Sequence, residues 1–544
     1  MPGKLPRIFE FRMLDVFIVL VPFALYLLMT WPLRDWLVDD AGVTFAYARN
    51  LAQGHGLVSQ PGAPPVEGFS NPLWLFLMVP FFWFKLFHPY LVPKIISALL
   101  VLFSYGYIHR LLMKFTGGRE LASFAVLVVL SLNTSFVAWT CSGLENALYV
   151  FLIVILFTIS VKFLDRENSP GRLASLAGLI ATGIALTRPD GLVYSAMFPL
   201  IIIVDRLGRV DKNIDRVTLG QLASYGAVWV VSYGGYILFR VLYFGQLLPN
   251  TAYAKGGPKI SQVVSALFLQ NDYLDKFQKL SQSVWGFKLW LVLPAVLLVM
   301  VTLWLAYDEN RRRNFVLLLM TFWGYFVFMI MPNDWMGEYR FATPFFVFYL
   351  MLTGVLFSFV LTRYLRNSRY RTIVGIALVV VLAIVAVKVH YPRLETFYRG
   401  KLVAFERIAH LYPFKFNEYA EKLGIKEGSV LLPDVGATLY YSKLRVYDLV
   451  GLCDSTIART VRKDKKRFYD YVFEDTKPTF IHTHGNWTLL AGFAGDPRFR
   501  RDYVPVREYP DKWIKEVASK DMMSGDYVRR DAVIGKEKIL ESLK

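Results

Sequence analysis

The sequence predicts a polytopic α-helical membrane protein, with about eleven membrane-spanning helices, interfacial helices and a smaller extracytoplasmic α/β domain at the C-terminus. Three observations predict this class. The 544 residues are 55% hydrophobic and 16% aromatic, which is too apolar for a soluble chain of this length. Several runs reach the roughly 20 apolar residues that span a bilayer. From residue 391 onward the chain carries more charge, and its apolar stretches shorten to strand and short-helix lengths.

The first apolar run, Met13 to Trp31, is interpreted as an uncleaved membrane anchor. The basic residues Lys4, Arg7 and Arg12 precede it, as they precede the apolar part of a signal peptide. No small-residue cleavage site follows it, however. The net charge of +19 is not a nucleic-acid signal, because the cations fall mostly in alternate short loops between apolar runs. This alternation is the positive-inside pattern. It predicts that the basic loops face the cytoplasm of a bacterial inner membrane.

The alternation gives a consistent topology only if residues Pro72 to Phe87 lie at the membrane interface, with Trp74, Trp83 and Lys85 as anchors. A crossing there would put every later basic loop outside. With the interfacial helix, the N-terminus is cytoplasmic, residues 1–390 form the membrane domain and residues 391–544 form an extracytoplasmic domain. The predicted spans are 13–31, 91–112, 121–139, 145–163, 173–187, 190–204, 219–243, 284–306, 314–331, 341–362 and 372–390.

The C-terminal domain is predicted to be a small α/β domain with helices near 401–423 and 455–472. Its predicted buried strands are Ser429 to Leu432, Leu444 to Leu449 and Thr479 to His482. Asp434 follows the first of these strands. It is a turn residue or, alternatively, helps to hold an acceptor over the membrane domain.

Ionisable residues collect in the loops of the predicted outer face, whereas the interiors of the spans are nearly free of charge. Pumps and channels would place such groups within the spans, so this distribution favours chemistry at the outer interface. Asp39 and Asp40 are the most informative of these residues. Adjacent carboxylates at a membrane edge repel each other, and the low dielectric disfavours their charge.

The outer loops carry motifs in a fixed order: DDAGVTFAYARNLAQGHGLV with VEGFSNPLW, then SGLEN, LTRPDG, YFGQLLPNTAYAK and NDWMGEYRF, and in the tail LPDVGATLYYSKLRVYDLVGLCDSTIAR. Over about residues 13–460 the chain thereby resembles the GT-C superfamily of polyprenyl-phosphate-sugar-dependent membrane glycosyltransferases. It is most similar to the arabinofuranosyltransferase B group and more distantly to the aminoarabinose and protein O-mannosyltransferases. That group often has glycine before the Asp-Trp, where this chain has Asn333.

The resemblance implies a GT-C fold and a transfer of sugar from a polyprenyl-phosphate donor to an acceptor hydroxyl outside the cytoplasmic membrane. The acceptor would be a surface glycan, a lipid or a protein, and arabinofuranose is favoured as the sugar by nearness to one group. Membrane lipids are the other expected partners, and nucleic acid is not one. Two alternatives stay open, which are a lipid-linked sugar transporter or flippase and a non-catalytic envelope-glycan assembly protein. A transporter would need polar residues along its spans.

The residue types suit this chemistry. A hydroxyl that attacks an anomeric carbon needs a base, for which Asp39 is the leading candidate and Asp40 the alternate or its partner. The leaving phosphate calls for fixed cations, and a guanidinium binds phosphate through two hydrogen bonds. Direct displacement would invert the anomeric centre. The predicted donor-binding residues are Arg340, Lys255, Arg188, Glu145, Tyr253 and Trp335, and the predicted acceptor-binding residues are Arg49, His55, Glu67 and Asp334.

Each of these assignments has a structural alternative. One of Asp39 and Asp40 would cap the helix that begins near Ala41, which is a common role of aspartate. Arg340 would pair with a neighbouring carboxylate such as Glu338 at the membrane edge. The remaining charged residues would anchor helix ends at the interface.

Metal binding is left open by the sequence. A divalent cation (Mg²⁺, Mn²⁺ or Ca²⁺) between the donor phosphate and the carboxylates of Asp39, Asp40 and Glu145 is one arrangement. His482 and His484 lie on the same face of a predicted strand, but no third ligand is evident beside them.

Overall fold

The structure is a computed structural model that describes residues 12–165, 170–207, 216–256, 273–286, 298, 301–302, 304, 311–331, 336–365, 367–508 and 524–543. The chain divides into two compact units of interleaved segments. The first unit comprises Met1–Asp35, Pro93–Gly235 and Ile260–Leu402, and the second comprises Trp36–Val92, Tyr236–Lys259 and Val403–Lys544. The predicted domain boundary at 390/391 falls inside the helix Ser368–Arg399 and stays a prediction.

Long apolar helices make this a multi-pass membrane protein. Seven helices of the described chain are long and apolar enough to cross a membrane, or eight if one bent pair is a single span. They are Met13–Leu33, Val92–Thr116, Asn146–Leu164, Arg216–Phe244, Arg313–Ile330, Arg340–Tyr364 and Ser368–Arg399. Each overlaps a predicted span. Most of the predicted span 284–306 lies outside the described residues, so the total of eleven spans stays a prediction.

The predicted span 121–139 is two helices that meet at an angle of 66°, Glu120–Leu132 and Thr134–Thr140. Asn133 causes the break. Its backbone is extended, with φ −64° and ψ 116°, and its side-chain oxygen accepts a hydrogen bond from the Phe136 N–H at 2.9 Å. Asparagine is a strong N-cap, so it ends one helix and starts the next.

Shorter helices occupy the predicted spans 173–187 and 190–204. The first is the apolar helix Pro170–Thr187, and the second is divided into Gly191–Ser195 and Met197–Leu207. Gly191 begins the helix Gly191–Ser195, close to the end of the helix Pro170–Thr187. A larger residue does not fit there, because a Cβ would lie 2.2 Å from the carbonyl oxygen of Ile184. Whether these helices cross the membrane stays a prediction.

The C-terminal part of the second unit contains a five-stranded sheet among the described residues. Its strands are β1 (Ser429–Leu432), β2 (Arg445–Asp448), β3 (Phe480–Thr483), β4 (Tyr503–Glu508) and β5 (Gly525–Arg529). The order is β2-β1-β3-β5-β4, with β1 parallel to β2 and β3 and with β5 antiparallel to β3 and β4. The three predicted strands are confirmed, whereas β4 and β5 were not predicted.

Helices connect the strands of this sheet and pack against it, and helices also make up most of the rest of both units. One apolar core joins Leu431 of β1, Ile481 of β3 and Tyr527 of β5 to aromatic residues such as Phe468 and Phe493. In the first unit the remaining helices are Tyr273–Trp285, Arg311–Ile330 and Thr343–Tyr364. In the second unit they are Asp40–Ala52, Pro72–Trp83, Asn250–Ala254, Phe405–Leu411, Pro413–Lys422, Gly436–Tyr441, Ser455–Thr460, Lys465–Asp470, Gly485–Ala491, Pro497–Asp502 and Glu537–Leu543.

Candidate functional site

The two adjacent aspartates have different environments, although both begin the helix Asp40–Ala52 of the second unit. Asp39 is 4% exposed, and its two carboxylate oxygens accept hydrogen bonds from the N–H groups of Gly436 at 3.0 Å and Ala437 at 2.7 Å. Asp39 therefore holds the first turn of another helix instead of capping its own. Gly436 permits this approach, because a Cβ there would lie 1.8 Å from the Asp39 carbonyl oxygen.

Asp40, by contrast, is exposed. In the described part of the chain, its carboxylate has no hydrogen-bond or ion-pair partner. It lies in the first turn of its helix, where the helix dipole favours negative charge. Of the two predicted base candidates, Asp40 is the one that a substrate can reach.

A third carboxylate, Asp434, belongs to the same acidic cluster. Burial raises the pKa of Asp39 well above its usual range, and the negative charges of Asp434 and Asp40 add to this shift while the Ala437 N–H opposes it. Burial likewise raises the pKa of Asp434 to about 6, with His482 opposing the shift and Asp40 adding to it. Asp39 and Asp434 therefore bind protons at higher pH than ordinary aspartates do.

The predicted histidine pair extends from Asp434 into the sheet. His484 Nε2 lies 3.5 Å from Asp434 Oδ2, and His484 Nδ1 lies 3.0 Å from His482 Nε2. His482 Nδ1 in turn lies 2.7 Å from Asp526 Oδ1, whose other oxygen accepts a hydrogen bond from Lys415 Nζ at 2.6 Å. The two histidines thus lie in a row between two carboxylates, with the closer contact at Asp526.

Arg49 and His55, both predicted at the acceptor, lie on the helix Asp40–Ala52 and in the turn after it. Arg49 donates to the carbonyl oxygens of Tyr440 at 2.7 Å and Leu439 at 3.1 Å, and its guanidinium stacks on the Tyr440 ring. It therefore closes the C-terminal end of the helix whose first turn Asp39 holds. His55 is exposed, and its backbone N–H donates to the Asn50 carbonyl.

Glu67, the third predicted acceptor residue, is buried against two side chains of the helix Arg216–Phe244. Its carboxylate accepts hydrogen bonds from Arg240 Nε at 2.5 Å and from the Tyr236 hydroxyl at 2.7 Å. Burial raises the pKa of Glu67, and Arg240 opposes this shift. Because Glu67 is 2% exposed, it fixes its loop to that helix.

Tyr253 and Lys255 lie on and just after the short helix Asn250–Ala254. The guanidinium of Arg459 stacks on the Tyr253 ring, 4.5 Å from its centre, whereas Lys255 is exposed. Asn250 fastens this helix by donating to the carbonyl oxygen of Gly451 at 2.7 Å. Of the two predicted donor residues here, Lys255 is the more accessible.

In the first unit, Glu145 and Arg188 meet in a buried ion cluster. Arg188 Nη1 lies 2.8 Å from Glu145 Oε1, and Arg188 Nε lies 3.0 Å from Asp190 Oδ1. The Tyr149 hydroxyl donates to the second oxygen of Asp190 at 3.0 Å. Burial alone would lower the pKa of Arg188, but Asp190 and Glu145 raise it further than burial lowers it. Arg188 therefore stays charged and is neutralised by two carboxylates.

Arg340 begins the short 3₁₀ helix Arg340–Ala342 of the first unit. Its guanidinium lies over the rings of Trp139 and Phe341, 5.4 and 4.9 Å from their centres. The predicted alternative partner Glu338 pairs with Arg393 at 2.5 Å. The other two predicted residues of this loop, Asp334 and Trp335, lie outside the described residues.

Several partners of the predicted site residues were missed from the sequence. Asp190 lies in the LTRPDG motif, and Arg240 is a cation in an otherwise apolar helix, which is a usual sign of a buried partner. The partners of Asp39 carried no such sign, because they are backbone N–H groups. Wherever the chain is described, no three His, Cys, Asp or Glu side chains are grouped so that they could hold a metal ion.

Comparison with known proteins shows the fold. A family model described as "Domain of unknown function (DUF8728)" matches residues 416–528, and no curated protein matches the chain in sequence. The archaeal oligosaccharyltransferase AglB from Archaeoglobus fulgidus, in complex with an inhibitory peptide and a dolichol-phosphate, is 11% identical with a TM-score of 0.54. The alignment covers 86% of this chain and 69% of AglB.

Two further structures, both of an oligosaccharyltransferase from Archaeoglobus fulgidus, are similar. The apo form is 11% identical over 86% of this chain and 69% of the enzyme, with a TM-score of 0.52. The complex with Zn and sulfate is 12% identical over 85% and 67%, with a TM-score of 0.49. AglB has a GT-C fold, so the predicted GT-C fold class is confirmed, whereas the arabinofuranosyltransferase B grouping stays a prediction.

Proposed function

We propose that the chain is a GT-C glycosyltransferase that moves a sugar from a polyprenyl-phosphate donor to an acceptor hydroxyl at the outer face of the bacterial cytoplasmic membrane. The observation that carries this proposal is the exposed carboxylate of Asp40 beside the fixed, buried Asp39, in a chain with an oligosaccharyltransferase fold. The similar enzyme was solved with dolichol-phosphate, which is a lipid-linked phosphate. That ligand supports a lipid-linked donor for this chain.

In this proposal Asp40 is the base and Asp39 is a positioning residue. The Asp40 carboxylate takes the proton of the acceptor hydroxyl as the hydroxyl oxygen forms a bond to the anomeric carbon. The bond from that carbon to the phosphate oxygen breaks, and its electron pair leaves with the polyprenyl phosphate. Displacement in one step inverts the anomeric centre. Asp39 fixes the backbone of Asp40 through its bonds to Gly436 and Ala437.

The leaving phosphate requires a cation. Arg188 is neutralised by Glu145 and Asp190, so we assign the phosphate to Arg340 ahead of Arg188, with Lys255 as the second candidate. Arabinofuranose as the sugar and a surface glycan as the acceptor rest on the resemblance to the arabinofuranosyltransferase B group. A divalent cation stays a prediction, and no step above requires one.

The test is a transfer assay with the full-length protein in lipid nanodiscs. The donors are radiolabelled polyprenyl-phosphate arabinofuranose and polyprenyl-phosphate mannose, and the acceptors are membranes from cells that lack the protein. We expect Asp40→Asn to lower the transfer rate at least 100-fold, as loss of a general base does, while the donor still binds. Asp35→Asn, which changes another exposed aspartate nearby, should keep the wild-type rate.

Wild-type transfer by the Asp40→Asn variant would contradict the assignment of the base. Donor binding without any transfer to these membranes would contradict the enzymatic proposal. Mass spectrometry of surface glycans from cells with and without the protein then identifies the transferred sugar, because only the product of this chain should disappear.

A further inference from the structure

A cavity of about 480 Å³ lies within the first unit. It is formed by the helices Met13–Thr30, Glu120–Leu132, Thr343–Tyr364 and Ser368–Arg399. This volume falls in the roughly 300–1,000 Å³ range of small-molecule pockets. Most of its walls are apolar, and they include Phe17, Phe124, Val126, Leu350, Phe357 and Leu382.

The cavity is open at its side. Phe17 and Ile376 line it and are each about half exposed, at 55% and 50%. Both belong to helices that qualify as membrane spans, so in a bilayer this opening faces lipid. An apolar chain of a lipid can enter from that side without crossing water.

Three charged residues line the same cavity: Arg119, Glu120 and Arg371. Glu120 already accepts a hydrogen bond from Arg12 at 3.0 Å. Arg119 Nε is buried without a hydrogen-bond partner, and neither Arg119 nor Arg371 forms an ion pair with another described residue. Burying a guanidinium donor without an acceptor is costly, so an anion in the cavity would satisfy Arg119, and Arg371 adds a second positive charge to the same cavity.

Both arginines lie at helix N-termini. Arg119 directly precedes the 13-residue helix Glu120–Leu132, and Arg371 is in the first turn of the 32-residue helix Ser368–Arg399. Helix N-termini attract phosphate through their N–H groups and dipole, and a guanidinium matches phosphate through two hydrogen bonds. Asn367 Oδ1 already accepts hydrogen bonds from the N–H groups of Arg369 and Tyr370, so a phosphate at this end of the cavity would meet the two guanidinium groups and the dipoles of both helices.

We propose that this cavity binds an anionic phospholipid, with its phosphate at Arg119 and Arg371 and an acyl chain along the apolar walls. Both arginines belong to loops that the positive-inside pattern places in the cytoplasm. Basic pockets between spans on that side bind the head groups of anionic lipids. The cavity residues and Asp40 belong to different units, and this proposal uses no residue of the proposed transfer reaction, so either proposal can fail alone.

The test is native mass spectrometry of the full-length protein in a neutral detergent, titrated with phosphatidylglycerol, phosphatidylcholine or undecaprenyl phosphate. We expect one equivalent of phosphatidylglycerol to bind at least tenfold more tightly than phosphatidylcholine. Arg119→Gln with Arg371→Gln should remove this preference, whereas Ala125→Trp, which fills the cavity, should weaken both phospholipids. Arg369→Gln is the matched control, because Arg369 is exposed and does not line the cavity.

Thermal unfolding without lipid checks that every variant is folded. Phosphatidylglycerol should also raise the unfolding temperature of the wild type and the Arg369→Gln variant, but not that of the double arginine variant. Equal affinity for the two phospholipids, or unchanged binding by the double variant and by Ala125→Trp, would overturn the proposal. Tighter competitive binding of undecaprenyl phosphate would overturn the choice of a phospholipid.

Discussion

Two buried carboxylate clusters, one in each unit, are stabilised in opposite ways. In the first unit, Glu145 and Asp190 both pair with Arg188, so positive charge lies between the two negative ones. In the second unit, burial raises the pKa of Asp39 and the negative charge of Asp434 adds to this shift, while backbone N–H groups hold the Asp39 carboxylate. The first cluster is compatible with permanent charge, whereas the second favours protonated carboxyl groups.

This difference separates a structural cluster from a candidate for proton transfer. Separating a buried carboxylate from the guanidinium that pairs with it has a high free-energy cost, because an uncompensated buried charge is left behind. Burial raises the pKa of Asp434 to about 6, so this carboxyl group exchanges a proton closer to neutral pH than an ordinary aspartate does. Asp40 adjoins the second kind of cluster and is exposed, which is why we assign the base there and not to Glu145.

The largest effect is expected from Arg188→Met. The substitution leaves Glu145 and Asp190 buried without their cation, and breaking a buried pair in this way costs about 3–5 kcal/mol. The measurement is the thermal unfolding of the purified protein in detergent. The triple variant with Glu145→Gln and Asp190→Asn should recover most of the loss, because no uncompensated charge remains. An unchanged unfolding temperature for Arg188→Met would show that the cluster is not structural.

A smaller loss is expected from Asp39→Ala in the second unit. The N–H groups of Gly436 and Ala437 lose their acceptors, and an unsatisfied buried group costs about 1–3 kcal/mol. Water that enters the space left by the carboxylate reduces this cost. Hydrogen exchange of the peptide that contains Gly436 and Ala437 should become faster, whereas Asp35→Ala should leave it unchanged. Unaltered exchange in Asp39→Ala would mean that Asp39 does not hold this helix.

Local patterns were sufficient for much of the fold. The length and apolarity of single segments predicted helices such as Asn146–Leu164, and β-branched and leucine residues predicted β1. The bend at Asn133 was missed because residues 121–139 together have the length and apolar content of one span, although the polar residues Asn133, Thr134 and Ser135 interrupt it. Strand β4 was missed because Pro505 interrupts it, and such a strand is tolerated at the sheet edge where β4 lies.

The site was only partly predictable. The sequence motifs identified Asp39, Glu145 and Arg188 as unusual, and all three prove to be buried. Which role each has depends on its partners, and apart from Asp190 beside Arg188 these are distant in sequence. Asp39 meets Gly436, 397 residues further on, and that contact fixes the Asp39 carboxylate, whereas Asp40 is the exposed carboxylate of the pair. The periodicity and residue spacing of the sequence do not predict such a contact, because it depends on tertiary packing.

The smallest effect is a pH dependence that belongs to the second cluster. Asp434 has a pKa of about 6 in the folded protein, compared with an ordinary value of 3.8, so the folded state binds its proton more tightly. The resulting stabilisation is complete below about pH 4 and is lost as the pH rises through 6. At roughly 1.4 kcal/mol per pKa unit it amounts to about 3 kcal/mol in full, of which about 2 kcal/mol is lost between pH 4.5 and pH 7.5.

The measurement is the unfolding temperature of the full-length protein between pH 4.5 and pH 7.5, with and without Asp434→Asn. The asparagine cannot ionise, so the fall in stability with rising pH should be smaller in this variant than in the wild type. Asp464→Asn, at an exposed helix cap of the same unit, is the matched control and should keep the wild-type slope. Identical slopes for the wild type and Asp434→Asn would mean that Asp434 is ionised throughout this range. The acidic cluster would then resemble the ion-paired cluster around Arg188 in holding permanent charge, and the argument for proton exchange beside Asp40 would fail.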